Sequence, residues 1–217
     1  MKTRIKICCI SSREEAELAI RSGVDALGLV GHMPSGPGVI SDELIKDVAE
    51  SVPPPIATFL LTSETQVKAI VRHQQKVRTN TIQIVDALSH GSYQEIRKAL
   101  PGVKLVQVIH VVDESSLNEA KSVSRDVDAI LLDSGNPNLS VKELGGTGRV
   151  HNWEISRKIR EAIDKPLFLA GGLKPENVQE AIRKVTPFGV DICSGVRTDG
   201  KLDAEKLKHF VSAVHSA

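Results

Sequence analysis

Two side chains stand where proton chemistry could be done. Cys8 closes the apolar run "IKIC" and Asp133 closes "AILLD". A thiolate is a competent carbon base once its pKa falls, and a partly desolvated carboxyl can stay protonated and act as an acid. A substrate held between them would meet a base on one side and an acid on the other. Plainer readings stand beside this one. Cysteine is a common buried filler, and an aspartate closing a strand is often a turn former or a cap. His32 and His110 lie close to strand ends, while His90 and His151 suit surface or core roles. No Ser/His/Asp arrangement and no metal-ligand cluster is visible.

A second group could hold an anion. Gly171 and Gly172 interrupt "LFLAGGLKPENV", Gly146 and Gly148 belong to "GGTG" at 145–148, and Ser194 and Gly195 follow "GVDIC". Glycine permits positive φ and lets a backbone approach an anion, which exposed N–H groups then hold. Any one pair is an ordinary turn. Three such loops on consecutive strands could ring one phosphate. "GGTG" lacks the lysine and spacing of a nucleoside-triphosphate loop.

Eight apolar runs must position these residues: Ile5–Cys9, Ala26–Val30, Ile56–Leu61, Thr81–Val85, Lys104–Ile109, Ala129–Asp133, Leu167–Ala170 and Val190–Cys193. Val and Ile dominate them, as suits strands buried on both faces. Helical stripes lie between, such as Val178, Ala181, Ile182 and Val185, or Leu207, Phe210, Val211 and Val214. Ser11 or Ser12 and Pro175 read as helix starts. "SVPPPIA" is a short connection, because the alternation continues through it. Eight strand–helix pairs predict a (β/α)8 TIM barrel, α/β in class, as a single compact domain over 1–217. An open doubly wound sheet is the rival, but no dinucleotide glycine fingerprint follows the first strand. In a barrel, ligands meet the C-terminal strand ends, and loops seven and eight often hold phosphate. Cys8 and Asp133 would end strands one and six, which are not neighbours.

Composition bounds the partners. The 217 residues are 41% hydrophobic and 25% charged, and 28 basic against 27 acidic residues give +1. That balance argues against a nucleic-acid or membrane surface. Aromatics at 3% are too few for base-stacking platforms. No apolar run approaches the roughly 18 residues of a spanning helix, and the start is too short in its apolar part for a signal peptide. Cys8, Cys9 and Cys193 form neither metal spacing nor an even disulfide set, so a reducing cytoplasm is expected.

Several motifs, in order, resemble the phosphoribosylanthranilate isomerase family of tryptophan biosynthesis. They are "KICCIS" at 6–11, "GVDALGLV" at 23–30, "ILLDS" at 130–134, "GGTG" with Trp153 following, "LAGGLKPENV" at 169–178 and "GVDICSGV" at 189–196. The resemblance spans nearly the whole chain. It implies a barrel without cofactor or metal, and a small phosphorylated sugar as the partner. It implies an Amadori rearrangement, in which a phosphoribosylamine becomes a 1-amino-1-deoxyribulose 5-phosphate. Carried onto matching positions, Cys8 is the general base and Asp133 the general acid. The backbone at Gly146, Gly148, Gly171, Gly172, Ser194 and Gly195 holds the phosphate. Gln83, Arg197 and His32 are the expected substrate-binding side chains.

The departures cluster at the aromatic end. The family expects glycine where Cys9 stands, and an arginine for the anthranilate carboxylate where Gly38 stands. Gln83 is kept, but Val85 and Asp86 follow instead of histidine and glycine, and Arg197 replaces a glutamate. Losing a charged carboxylate contact removes roughly 1.5–3 kcal/mol. Arg197 is expected to supply the cation lost at Gly38, unless it is solvated or pairs with Asp199. An isomerase of another phosphosugar amine and a non-catalytic phosphosugar-binding barrel remain the alternatives. Monomer and homodimer both remain open, and oxidation of the cysteines could silence the site.

Overall fold

Apolar strands with two buried faces need cover on both sides, and this chain supplies it by closing its sheet into a ring wrapped in helices. A computed structural model describes residues 2–136, 138–146 and 148–217. The strands are β1 Arg4–Ile7, β2 Ala26–Val30, β3 Ala57–Thr62, β4 Thr81–Ile84, β5 Lys104–His110, β6 Ala129–Asp133, β7 Leu167–Leu169 and β8 Gly189–Ile192. Each pairs in parallel with the next, and β1 pairs with β8 to close the barrel. The helices between are α1 Arg13–Arg21, α2 Asp42–Ser51, α3 Val67–Val77, α4 Tyr93–Ala99, α5 Ser115–Val123, α6 Trp153–Ala162, α7 Val178–Val185 and α8 Ala204–His215. A hairpin of β9 Arg197–Thr198 and β10 Lys201–Leu202 precedes α8. No helix is long and apolar enough to cross a membrane, among the described residues.

Local chemistry sets the helix starts. Ser12, Ser41 and Ser92 each accept a hydrogen bond from the backbone N–H three residues on, leaving fewer orphan donors. Pro175 does not open α7 as expected. It sits in the turn before it, and the helix begins at Val178. Asn177 fixes that turn, accepting from Lys174 N and donating to the Gly172 carbonyl.

Strand alternation divides the apolar residues into two cores. Ile5, Ile7, Leu27, Leu29, Ile82, Ile84, Ile130, Leu132, Val190 and Ile192 face the helices. Phe59, Val106, Val108, Leu131 and Phe168 fill the barrel. The same parity aims Cys8, Val30, Leu61, Val85, Asp133, Ala170 and Cys193 into the barrel's C-terminal mouth. That layer is where the chemistry has to be.

Candidate active site

A cavity opens at that mouth, with about 720 Å³ of empty space including its open face. Cys8 and Asp133 both line it, from strands β1 and β6. Cys8 is 7% exposed. Gly28 makes its room: a Cβ there would lie 3.1 Å from Cys8 Sγ and 3.0 Å from Lys6 Nζ. Asp133 Oδ1 accepts from Ser134 N at 2.7 Å, which sets the carboxyl's orientation. Oδ2 lies beside Gly145, where a Cβ would approach it to 2.6 Å. Glycine at 145 therefore leaves the second oxygen uncrowded.

The glycine loops converge on the same cavity. Gly146, Gly148, Gly171, Gly172 and Ser194 all line it. Gly171 and Gly172 both have positive φ, at 83° and 62°. A Cβ on Gly172 would strike the Arg149 carbonyl oxygen at 2.7 Å, so loops six and seven pack backbone to backbone there. A Cβ on Gly148 would come within 3.9 Å of Ser194 Oγ, which joins loop six to loop eight. Thr147 of the "GGTG" run lies outside the described residues. Gly195 does not line the cavity. Its hydrogen faces the Leu173 carbonyl, which a Cβ would reach at 2.4 Å, so it permits the close packing of loops seven and eight.

Gln83 and Asp191 form the layer beneath. Both are buried, both line the cavity, and Gln83 Oε1 and Asp191 Oδ1 have no hydrogen-bond partner among the described residues. Asp191 Oδ2 accepts from Lys6 Nζ at 2.9 Å. Burial opposes the Lys6 ammonium, but the Asp191 carboxylate outweighs it and holds the pKa above the ordinary lysine value. Sequence reasoning missed Lys6 and Asp191. Their signal was available: a charge inside an apolar strand, in register with the strand's other inward residues.

Two expected substrate-binding residues lie elsewhere. Arg197 does not line the cavity. Its guanidinium makes a two-pronged pair with Glu15, at 2.9 and 3.1 Å, and donates to the Cys9 and Gly200 carbonyls. The partner is Glu15 of α1, not Asp199. Burial alone would raise the Glu15 pKa, but the Arg197 hydrogen bond and two backbone N–H groups hold it below the usual range. The guanidinium is thus engaged in an internal contact, outside the cavity lining. His32 is exposed and outside the cavity lining. His110 is structural: Nε2 lies 2.9 Å from the Val85 carbonyl and so carries the proton. His151 stands behind the site, with Nε2 2.8 Å from Ser156 Oγ and Nδ1 facing the space above Gly171. Burial pushes its pKa down to about 4, against the pull of Asp133.

Loop two closes the mouth with Met33, Ser35, Gly36 and Pro37. No Lys, Arg or His lines the cavity among the described residues. The cations nearby are engaged: Lys142 pairs with Asp86 at 2.5 Å and Arg149 pairs with Glu143.

The family model of N-(5'-phosphoribosyl)anthranilate (PRA) isomerase matches residues 5–213. An N-(5'-phosphoribosyl)anthranilate isomerase of Methanosarcina acetivorans is 36% identical over 228 residues, covering 99% of this chain and 94% of its own. That of Methanothrix thermoacetophila is also 36% identical, over 99% of both chains. Among solved structures, phosphoribosyl anthranilate isomerase of Thermotoga maritima superposes with a TM-score of 0.82 at 29% identity, covering 99% of this chain and all of that one. A structure of such an isomerase with reduced 1-(o-carboxyphenylamino)-1-deoxyribulose 5-phosphate gives 0.79 at 27% identity, with 99% and 100% covered.

Proposed function

The chain belongs to the N-(5'-phosphoribosyl)anthranilate isomerase family, and on that basis we propose that its cavity performs the family's Amadori rearrangement with Cys8 and Asp133 as the proton-transfer pair. The enzyme is an isomerase of tryptophan biosynthesis acting on a phosphorylated sugar amine. The phosphate sits against the main-chain N–H groups of loops six to eight, around Gly146, Gly148, Gly171, Gly172 and Ser194. Gln83 Oε1 and Asp191 Oδ1 accept hydrogen bonds from ribose hydroxyls.

Asp133 donates a proton to the ring oxygen, and the C1′–O bond breaks to leave an iminium. Cys8 removes the C2′ proton. The electron pair flows to nitrogen, giving an enolamine that tautomerises to the ketone. C1′ is reduced as C2′ is oxidised within one molecule, and one proton enters as one leaves, so no external oxidant or reductant is needed. A base and an acid on strands separated by β7 and β8 suit a sugar lying between them.

One observation carries the reading: a thiol, a carboxyl, the glycines of loops six and seven and Ser194 of loop eight share a single cavity. A monomer and a homodimer are both compatible with this reading. The cytoplasm, where thiols stay reduced, is the proposed site of action. The test is complementation of a tryptophan auxotroph lacking this isomerase, with Cys8→Ala as the control. Growth with the native chain and none with the variant is expected. In vitro, Cys8→Ser and Asp133→Asn should each lower kcat by a factor on the order of 10²–10⁴. Unchanged turnover in either would reassign that residue.

A second reading follows from the missing cation at the mouth: the aglycone is held by shape more than by a carboxylate contact. Turnover of a phosphoribosyl aniline lacking the carboxylate should then approach that of the anthranilate compound. A large preference for anthranilate would reject this second reading alone.

A further inference from the structure

The rearrangement uses one thiol, and the structure gathers three. Cys9 Sγ lies 2.6 Å from Cys193 Sγ and 3.8 Å from Cys8 Sγ. All three are free and all line the cavity. The pairing depends on the barrel seam, since Cys9 follows β1 and Cys193 follows β8. It also depends on an uncommon backbone, for Cys9 has φ +63°.

The members differ in accessibility and charge. Cys8 and Cys9 are 7% and 5% exposed, while Cys193 is only partly buried. The hydrogen bond with Cys9 holds the Cys193 pKa below the ordinary thiol value, burial opposes this, and the Arg197 guanidinium adds to it. Cys9 is pushed the other way by its bonds to Cys193 and Cys8 and by burial. Cys193 is therefore the more accessible member of the pair, with the buried Cys9 sulfur beside it. Oxidants attack the thiolate that they can reach, and an adjacent thiol resolves the product. The sulfurs do not make a metal site: among the described residues no group of three or more His, Cys, Asp and Glu is placed to hold one.

We propose that Cys9 and Cys193 are an oxidation site, a dithiol that closes to a disulfide with hydrogen peroxide and does so ahead of oxidation at Cys8. The Cys193 sulfur attacks one peroxide oxygen, the O–O bond breaks, and a sulfenic acid and water form. Cys9 sulfur then displaces the sulfenic oxygen as a second water. Two thiols lose two protons and two electrons, and the peroxide is reduced to two waters. A dithiol reductant reverses the change. The inference rests on the proposed function only in naming Cys8 as the thiol that is spared.

The native protein supplies the test. It is treated with hydrogen peroxide, free thiols are alkylated, and tryptic peptides 7–13 and 185–197 are read by fragmentation mass spectrometry. The expected result is a loss of about 2 Da, a Cys9–Cys193 cross-link between those peptides, and an alkylated Cys8. Dithiothreitol should restore three alkylated cysteines. Cys193→Ser should form no such cross-link and should add oxygen at Cys8 sooner than the native chain. A bridge through Cys8, oxygen added at Cys8 while Cys9 and Cys193 remain thiols, or an unchanged mass would each overturn the proposal. None of these readouts depends on turnover, so a failure of the isomerase reading would be seen separately, in untreated protein.

Discussion

A side chain at position 38 would begin 2.4 Å from Cys9 Cβ and 2.9 Å from Cys9 Sγ, so these two positions answer to each other. The resemblance presents them as separate departures, a cysteine for a glycine and a glycine for an arginine. The contact makes them one: the Cys9 side chain occupies the space where residue 38 would place its Cβ. Both residues also hold left-handed backbone, with φ +63° at Cys9 and +84° at Gly38. A non-glycine residue in that region costs about 1–3 kcal/mol. Gly38→Arg alone therefore meets both strain and collision, and should destabilise the fold by roughly 2 kcal/mol or more. Cys9→Gly removes the collision. In a double-mutant cycle read by urea denaturation, Cys9→Gly with Gly38→Arg should recover at least about 1 kcal/mol of the expected sum. Additive losses would show that the two positions are not energetically coupled. The double variant should also bind anthranilate-bearing substrate more tightly than native, because it places a guanidinium at the mouth.

The β9–β10 hairpin and the start of α1 are held by one ion pair. Arg197 and Glu15 side chains are 8% and 12% exposed, and Glu15 also accepts from Leu202 N and Ser11 N. Removing the arginine leaves a nearly buried carboxylate without its partner, a loss of about 3 kcal/mol. In a chain of this size that lowers Tm by roughly 6–12 °C. Arg197→Ala should show that loss in thermal denaturation with KM little changed, and Glu15→Gln should share it. A tenfold rise in KM with Tm intact would return Arg197 to the substrate. At this scale the sequence was legible where periodicity carries the information. The eight apolar runs lie within about two residues of the strands found, and the stripe from Val178 to Val185 matches α7. What periodicity lacks is pairing across distance. Glu15 and Arg197 are 182 positions apart, and nothing local marks them as partners. The end of β1 was hidden for another reason. Cys9 in left-handed backbone stops the strand at Ile7, and cysteine carries no signal for that turn. That Cys8 and Asp133 line one cavity was legible because strand ends on a barrel share one face, whereas the loop-two lining at Ser35, Gly36 and Pro37 follows no period.

The barrel becomes a closed body only when its last strand meets its first, and one buried ion pair spans that seam. Register places Lys6 opposite Asp191, Nζ lies 2.9 Å from Oδ2, and the ammonium stands 5.2 Å from the Phe59 ring centre. Lys6 is 0% exposed. Such pairs add little net stability, because desolvation offsets attraction, yet removing one partner costs about 3–5 kcal/mol. Lys6→Met would leave the buried Asp191 carboxyl without its charged partner inside the barrel, and urea denaturation should show a loss of that size. Lys6→Met with Asp191→Leu should regain most of it, since an apolar pair fills the same space without a stranded charge. Turnover should not return with stability, because Asp191 lines the cavity. The pH dependence has a definite sign. The Lys6 pKa is raised on folding, so the lysine's contribution is complete below the ordinary value of 10.5 and is lost as pH rises through the folded value, whereas burial raises the Asp191 pKa despite the Lys6 contact, so the carboxyl adds nothing to that alkaline loss. Native protein should therefore lose stability in alkali more steeply than the apolar double variant. If the double variant is as unstable as the two single losses added together, the seam is held by strand pairing alone and the pair serves only the site.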